Sequence, residues 1–254
     1  MRIIKSIIVA FSMYSRIPMP RFNWASDDMK YHLIFFPWVG AVIGAVEYLW
    51  LLFCEKYEVS HIAFTLIALA IPLILTGGFH LDGFMDTSDA LSSYQEKEKR
   101  LEILKDPHIG AFAVIKVCIY GLIMTASVYS MDKDGFLAWL FMFFIARAVS
   151  GICVIKSKKA KSNGILNTEA KTASDRAVVF GLALQLVIVA MAAGALYQYY
   201  WTMCMAALAI EVVYYIYTAY SKFGGVTGDL AGWFVCKAEL LAAVFVALYT
   251  IILK

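Results

Sequence analysis

Residues 177–220 read AVVFGLALQLVIVAMAAGALYQYYWTMCMAALAIEVVYYIYTAY, a run broken by one formal charge, Glu211. A bilayer core takes about 20 apolar residues per helix, so the run holds two consecutive spans, 177–197 and 200–220. Five further stretches read the same way: 31–54, 59–76, 110–131, 135–155 and 229–253. The second is the weakest, being short and carrying Pro72 near its end. Across the chain 62% of residues are apolar and 16% charged, against about 25% charged in soluble domains. That excludes a water-soluble globule and a disordered chain. No Pro/Gly/Ser-rich linker divides the sequence. The fold class is therefore all-α: one domain, 1–254, a polytopic membrane bundle of about seven transmembrane helices with its site on cytoplasmic loops. Residues 1–13 carry Arg2 and Lys5 and then a run too short to span. They read as an interfacial or re-entrant segment and not as a removed signal.

Alternating the loops from the N-terminus puts sixteen of the 22 basic residues on one side, among them Arg2, Arg16, Lys99, Lys161, Lys171 and Lys222. Three (Lys56, Lys133, Lys254) fall on the other side and three (Lys116, Arg147, Lys237) inside spans. Positive charge collects in the cytoplasm. The N-terminus and the three long polar loops are thus expected inside and the C-terminus outside. The five cysteines are scattered without a C-x-x-C pair, which argues against a disulfide framework or a zinc site.

The loop after the second span carries the chemistry. In Gly77–Asp89, GGFHLDGFMDTSD, three aspartates recur at i, i+4 and i+7: Asp82, Asp86 and Asp89. On a helix they share a face within about 60° of arc. Like charges on one stripe repel, and a hard divalent cation held by oxygen ligands offsets the repulsion. Mg²⁺ or Mn²⁺ suits such a site. The next stretch, Gln95–Arg100, mixes signs as a solvated helix surface does.

Asp106 is a fourth candidate metal ligand, or an N-cap ahead of Pro107. His80 and His108 flank the acids as candidate bases or phosphate donors, beside Lys105. The loop Phe223–Asp229, FGGVTGD, offers Gly225, Thr227, Gly228 and Asp229 as a phosphate cradle at a helix start, or Asp229 as a cap. Charges inside spans are costly and usually functional. Arg147 and Glu239 lie deep, and Lys116 lies about one and a half turns in. These could reach one site from different helices; snorkelling is the plainer reading for Lys116 and Lys237. Glu47 and Glu211 lie deep without an evident partner. Carboxylates for divalent ions, nearby cations and glycine-rich turns suit displacement at phosphorus. No G-x-x-x-x-G-K-[ST] motif is present, which removes a P-loop pump.

Five ordered blocks resemble the cobalamin synthase (adenosylcobinamide-GDP ribazoletransferase) family. They are Tyr14–Pro20 (YSRIPMP), Phe36–Gly40 (FPWVG), Thr76–Ala90 (TGGFHLDGFMDTSDA), Leu101–Ala113 (LEILKDPHIGAFA) and Gly224–Gly232 (GGVTGDLAG). The resemblance implies an Mg²⁺-dependent enzyme of the bacterial inner membrane. In it the ribose hydroxyl of α-ribazole, or of its 5′-phosphate, attacks the phosphate on cobinamide and GMP leaves. Under it Asp82, Asp86 and Asp89 hold metal, with Asp106 or Asp229 completing the set. His80 or an aspartate takes the proton, and Lys105, Arg147 and the Gly224–Gly228 backbone hold the pyrophosphate. The partners implied are those small molecules and membrane lipid, with a homo-oligomer left open and no nucleic acid expected. Ala90 stands where the family commonly has Gly. Cys236 stands where some relatives carry an acid, which weakens an acidic cluster around Glu239. Two other readings compete: a CDP-alcohol phosphotransferase acting on lipid, whose D-G-x-x-A-R pattern is missing here, and an ion-coupled transporter lined by the deep charges.

Overall fold

The structure is a computed structural model that describes residues 2–23, 26–160 and 175–253. Lys161, Lys171 and Lys254 of the charge count lie outside the described residues. The chain is a helical bundle: α1 (Arg2–Tyr14), a short 3₁₀ turn (Ser26–Met29), α2 (His32–Lys56), α3 (His61–Thr76), α4 (Phe79–Ser92), α5 (Lys97–Ile103), α6 (Ala111–Ser130), α7 (Lys133–Lys156), α8 (Asp175–Thr218, followed by a π turn Ala219–Phe223) and α9 (Gly228–Leu253). Five helices among the described residues are long and apolar enough to cross a bilayer; a sixth is gained if α3 and α4, bent by 95°, count as one broken span.

α8 is too long for one crossing. Its 44 residues would extend about 66 Å, twice a hydrocarbon core. Tyr197, at φ −132° and ψ 38°, breaks the helical geometry, and the neighbours show the chain doubling back there. Leu182 packs on Gly151 in the second half of α7. The Tyr200 hydroxyl then donates to Asp132, the N-cap of α7, at 2.5 Å. The Lys158 N–H, past the other end of α7, donates to the Tyr220 hydroxyl at 3.0 Å. The two arms of α8 are thus antiparallel passes, matching the spans read at 177–197 and 200–220.

α7 is the axis of the bundle. It packs on α2, α8 and α9, and 72% of its apolar window is inside the protein, against 17–44% for the other spans. The α2–α7 crossing is close because α2 offers glycines one turn apart. A Cβ on Gly40 would lie 2.0 Å from the Phe143 carbonyl oxygen, and one on Gly44 would lie 3.2 Å from that of Leu140. Small residues four apart let membrane helices approach backbone to backbone. α1 is too short to span. It lies against α2 with Val9 and Ala10 fully buried and Ile3 and Ile4 exposed, in keeping with an interfacial segment.

Candidate active site

The aspartates owe their position to a sharp turn. α3 ends at Gly77 and Gly78, both left-handed (φ 65° and 77°), a conformation glycine adopts without a Cβ penalty. The Thr76 hydroxyl donates to Pro72 O at 2.7 Å and accepts the Gly78 N–H at 3.3 Å. α4 therefore leaves at 95° to α3 instead of continuing its line. It packs on α6 and α9, again through glycine. A Cβ on Gly83 would lie 2.7 Å from the Asp229 carbonyl oxygen, and one on Gly232 would lie 3.1 Å from that of His80. This crossing lays Asp82 and Asp86 beside the first turn of α9.

Asp82 is exposed, and Asp86 and Asp89 are half-buried. Partial burial first, and then the negative charges of Asp82, Asp229 and Asp89, together push the Asp86 carboxyl up to about 6. Four aspartates thus share one field, three from α4 and one from the start of α9. Asp82, Asp86 and Asp89 form no ion pair among the described residues. The Asp89 carboxylate rests on Gly110, where a Cβ would lie 2.1 Å from Oδ1. Gly110 caps α6 without a side chain of its own, so a negative group there faces the positive end of a helix. As placed, no three His, Cys, Asp or Glu side chains among the described residues already stand at metal-ligand spacing. The chemistry of the set nevertheless fits a hard cation: mutually repelling carboxylates with exposed or half-exposed oxygens.

The other sequence candidates are distributed unevenly around this cluster. Asp106 turns to its neighbour: its Oδ1 accepts the His108 N–H at 3.0 Å and stands 2.7 Å from His108 Nδ1. These contacts, the backbone one first, hold its carboxyl below the usual range. Asp106 is not among the charges acting on Asp86; the fold brings Asp229 there. Lys105, His108 and Lys116 are exposed. His80 is buried between the Phe36 and Phe79 rings, centroids 5.6 and 5.4 Å away, and neither ring nitrogen has a hydrogen-bond partner among the described residues. Burial first, and the Arg147 charge second, hold the imidazole neutral.

Arg147 and Glu239 do meet across helices, as a buried pair at 2.7 Å. Arg147 Nη1 also donates to Phe143 O at 2.7 Å, and Trp139 donates to Glu239 O at 2.9 Å. Lys237, for which snorkelling is the plainer sequence reading, instead pairs with Glu211 at 3.1 Å, with its ammonium over the Tyr214 and Trp233 rings. Glu47 is fully buried, with neither oxygen hydrogen-bonded among the described residues.

The glycine loop before α9 is used internally. Gly225 (φ 158°) is packed on residues 158–160, where a Cβ would lie 2.5 Å from Lys158 O. A short parallel bridge joins Lys159 to Val226, with Val226 N–H donating to Lys158 O at 2.8 Å. The Thr227 hydroxyl accepts the Leu230 N–H at 3.1 Å, capping α9. At Gly224 and Gly228 a Cβ would meet nothing within 4 Å among the described residues. Sequence periodicity puts the three α4 aspartates on one face. It holds no signal for Gly83, Gly110 and Gly232, whose importance comes from contacts between elements far apart in the chain.

The profile of the cobalamin-5-phosphate synthase family, CobS, matches residues 6–247. An adenosylcobinamide-GDP ribazoletransferase of Lachnoclostridium phytofermentans is 38% identical over 248 residues, covering 98% of this chain and 95% of the relative. Proteins of the same name from Clostridium botulinum (strain Alaska E43 / Type E3; 30%, covering 97% and 98%) and Listeria monocytogenes serotype 4a (31%, covering 90% and 91%) are also similar. No solved structure matches the chain. With a family profile spanning nearly its whole length, the chain belongs to the cobalamin-5-phosphate synthase family.

Proposed function

We propose that this chain joins adenosylcobinamide-GDP to α-ribazole or its 5′-phosphate, yielding adenosylcobalamin or its 5′-phosphate and GMP. The observation that carries the reading is the four-aspartate field around Asp86, in a chain matched along its length by relatives of that name. Asp82, Asp86, Asp89 and Asp229 would hold Mg²⁺, which when bound neutralises charge on the transferring phosphate.

The chain's own residues supply the rest. The ribose hydroxyl oxygen forms the new bond to the cobinamide-linked phosphorus, the bond to the GMP oxygen breaks, and GMP takes the electron pair. The hydroxyl proton passes to an aspartate of the cluster. His80 is the poorer acceptor, being shut between Phe36 and Phe79. Lys105, next to Asp106 in sequence, and the turn at Gly228 would hold phosphate oxygens. Arg147 and Glu239 act at a remove, as a buried pair beneath α4.

The site faces the cytoplasm of a bacterium, at the inner membrane, with lipid around the spans. The charge asymmetry of the loops supports that orientation. Asp82→Asn is expected to cut GMP release from adenosylcobinamide-GDP, with α-ribazole present, by about 100-fold or more. Release at a near-parental rate would overturn the assignment.

A further inference from the structure

The segment after α1 carries two cations that the aspartate cluster does not account for. The Ser15 hydroxyl donates to Phe11 O at 2.6 Å and accepts the Ile17 N–H at 3.3 Å, turning the chain out of α1. The Arg16 N–H then donates to Leu75 O at 2.8 Å, tying this segment to the end of α3. The Arg16 side chain crosses Gly77, where a Cβ would lie 2.4 Å from Nε; only glycine leaves room for that path. Pro18 and Pro20 stiffen the chain on its way to Arg21. The result is a groove of about 580 Å³ lined by Arg16 and Arg21, with Ser12 and Ser15 on its wall. Both arginines are exposed, and neither pairs with a carboxylate among the described residues. Lys5, from the same region, is by contrast engaged with Asp28 at 3.1 Å.

The position of this groove matters. Asp82 N–H donates to Gly78 O at 2.8 Å, so Asp82 stands one helical turn from the turn that Arg16 crosses, about 6 Å along the axis. A diphosphate approaching four aspartates is repelled unless cations flank it. Arginine is the side chain suited to it, since its planar fork matches phosphate oxygens in pairs. The groove is also of a size that takes a nucleotide.

We propose that Arg16 and Arg21 form a phosphate subsite that holds the nucleotide diphosphate of the substrate, and then the departing GMP, beside the aspartate cluster. This rests on the phosphoryl-transfer reading above, and it assigns two substrate-contacting residues that reading leaves out. The same two cations could instead grip an anionic lipid headgroup, which shares the phosphate chemistry.

The test uses the full chain in nanodiscs of phosphatidylcholine alone or with phosphatidylglycerol. GMP and guanosine binding are measured by calorimetry, and KM is measured for each substrate. Arg16→Gln and Arg21→Gln should each weaken GMP about tenfold and leave guanosine unchanged. They should raise KM for adenosylcobinamide-GDP but not for α-ribazole. Arg16→Lys should recover part of the loss, as a point charge replacing a fork. Arg21→Gln leaves the Arg16–Gly77 packing intact, so it reads the charge without disturbing the turn. Parental GMP affinity and KM in the double glutamine variant would overturn the subsite. So would a loss that follows phosphatidylglycerol content while GMP affinity stays fixed, which would give the arginines to lipid. If the parent binds GMP through these arginines yet releases none from substrate, the transfer reading fails and the subsite stands.

Discussion

Asp86 bears the cost of the arrangement. Its carboxyl is pushed up to about 6 by burial and by three neighbouring acids, from an ordinary value of 3.8. A carboxyl raised by folding binds protons more tightly folded than unfolded, so metal-free protein loses stability as pH rises from about 4 to 6. Above that window the full cost is present. Because the group is half-exposed, solvent screening reduces the cost to about 1 kcal/mol. Asp86→Asn should therefore melt a few degrees higher than the parent at pH 7.5 in chelator, and level with it near pH 4, while losing activity. Thermal unfolding in detergent checks this, and an asparagine variant that is less stable at pH 7.5 would refute it. A substitution that stabilises the fold while abolishing turnover marks a residue kept for function.

At the scale of elements, the geometry of the site is the geometry of α4 against α9. Gly83 meets the Asp229 backbone, and backbone cannot swing aside as a side-chain tip can. Gly83→Ala is expected to push the two helices apart, separating Asp82 and Asp86 from Asp229. GMP release should fall at least about tenfold, since small misplacements of a positioned group are costly. The helical circular dichroism of the purified variant should be unchanged. Parental turnover would mean that Asp229 plays no part.

Much at this scale is legible in the sequence. The i, i+4, i+7 aspartates fall on one helix face, and the weak second span is the 16-residue α3 with its bent continuation. By composition the glycine loop reads as a phosphate cradle. Its Gly225 is instead spent on the bridge to residues 158–160, a pairing between segments far apart in the chain that no local pattern encodes. In sequence Asp106 reads as the fourth metal ligand, with Asp229 as the alternative or as part of the phosphate cradle. Only the fold decides that Asp229 shares the field at Asp86.

For the whole molecule, the apolar runs dictate an all-α membrane bundle, and the turn at Tyr197 accounts for the 44-residue α8. The deep charges are legible as cross-helix partners only in part. Arg147 meets Glu239, but Lys237 finds Glu211 where composition suggests a snorkelling lysine. Partner choice depends on helix rotation, which composition does not fix. The orientation proposed for the bundle can be measured with single-cysteine labelling in intact cells. A cysteine replacing Lys99, in α5 after the aspartates, should resist a membrane-impermeant reagent, and one replacing Lys133, at the start of α7, should react. The reverse pattern would invert the topology.

The aspartate cluster is proposed to transfer the cobinamide phosphate only with a divalent ion among its carboxylates. The most direct measurement is GMP release by chelator-treated protein given adenosylcobinamide-GDP and α-ribazole, as Mg²⁺ is titrated back. The parent should be silent without the ion and recover saturably, and Asp86→Asn should stay at least about 100-fold below it at every concentration. Full turnover in excess chelator, or an Asp86→Asn titration that overlays the parent, would contradict the account.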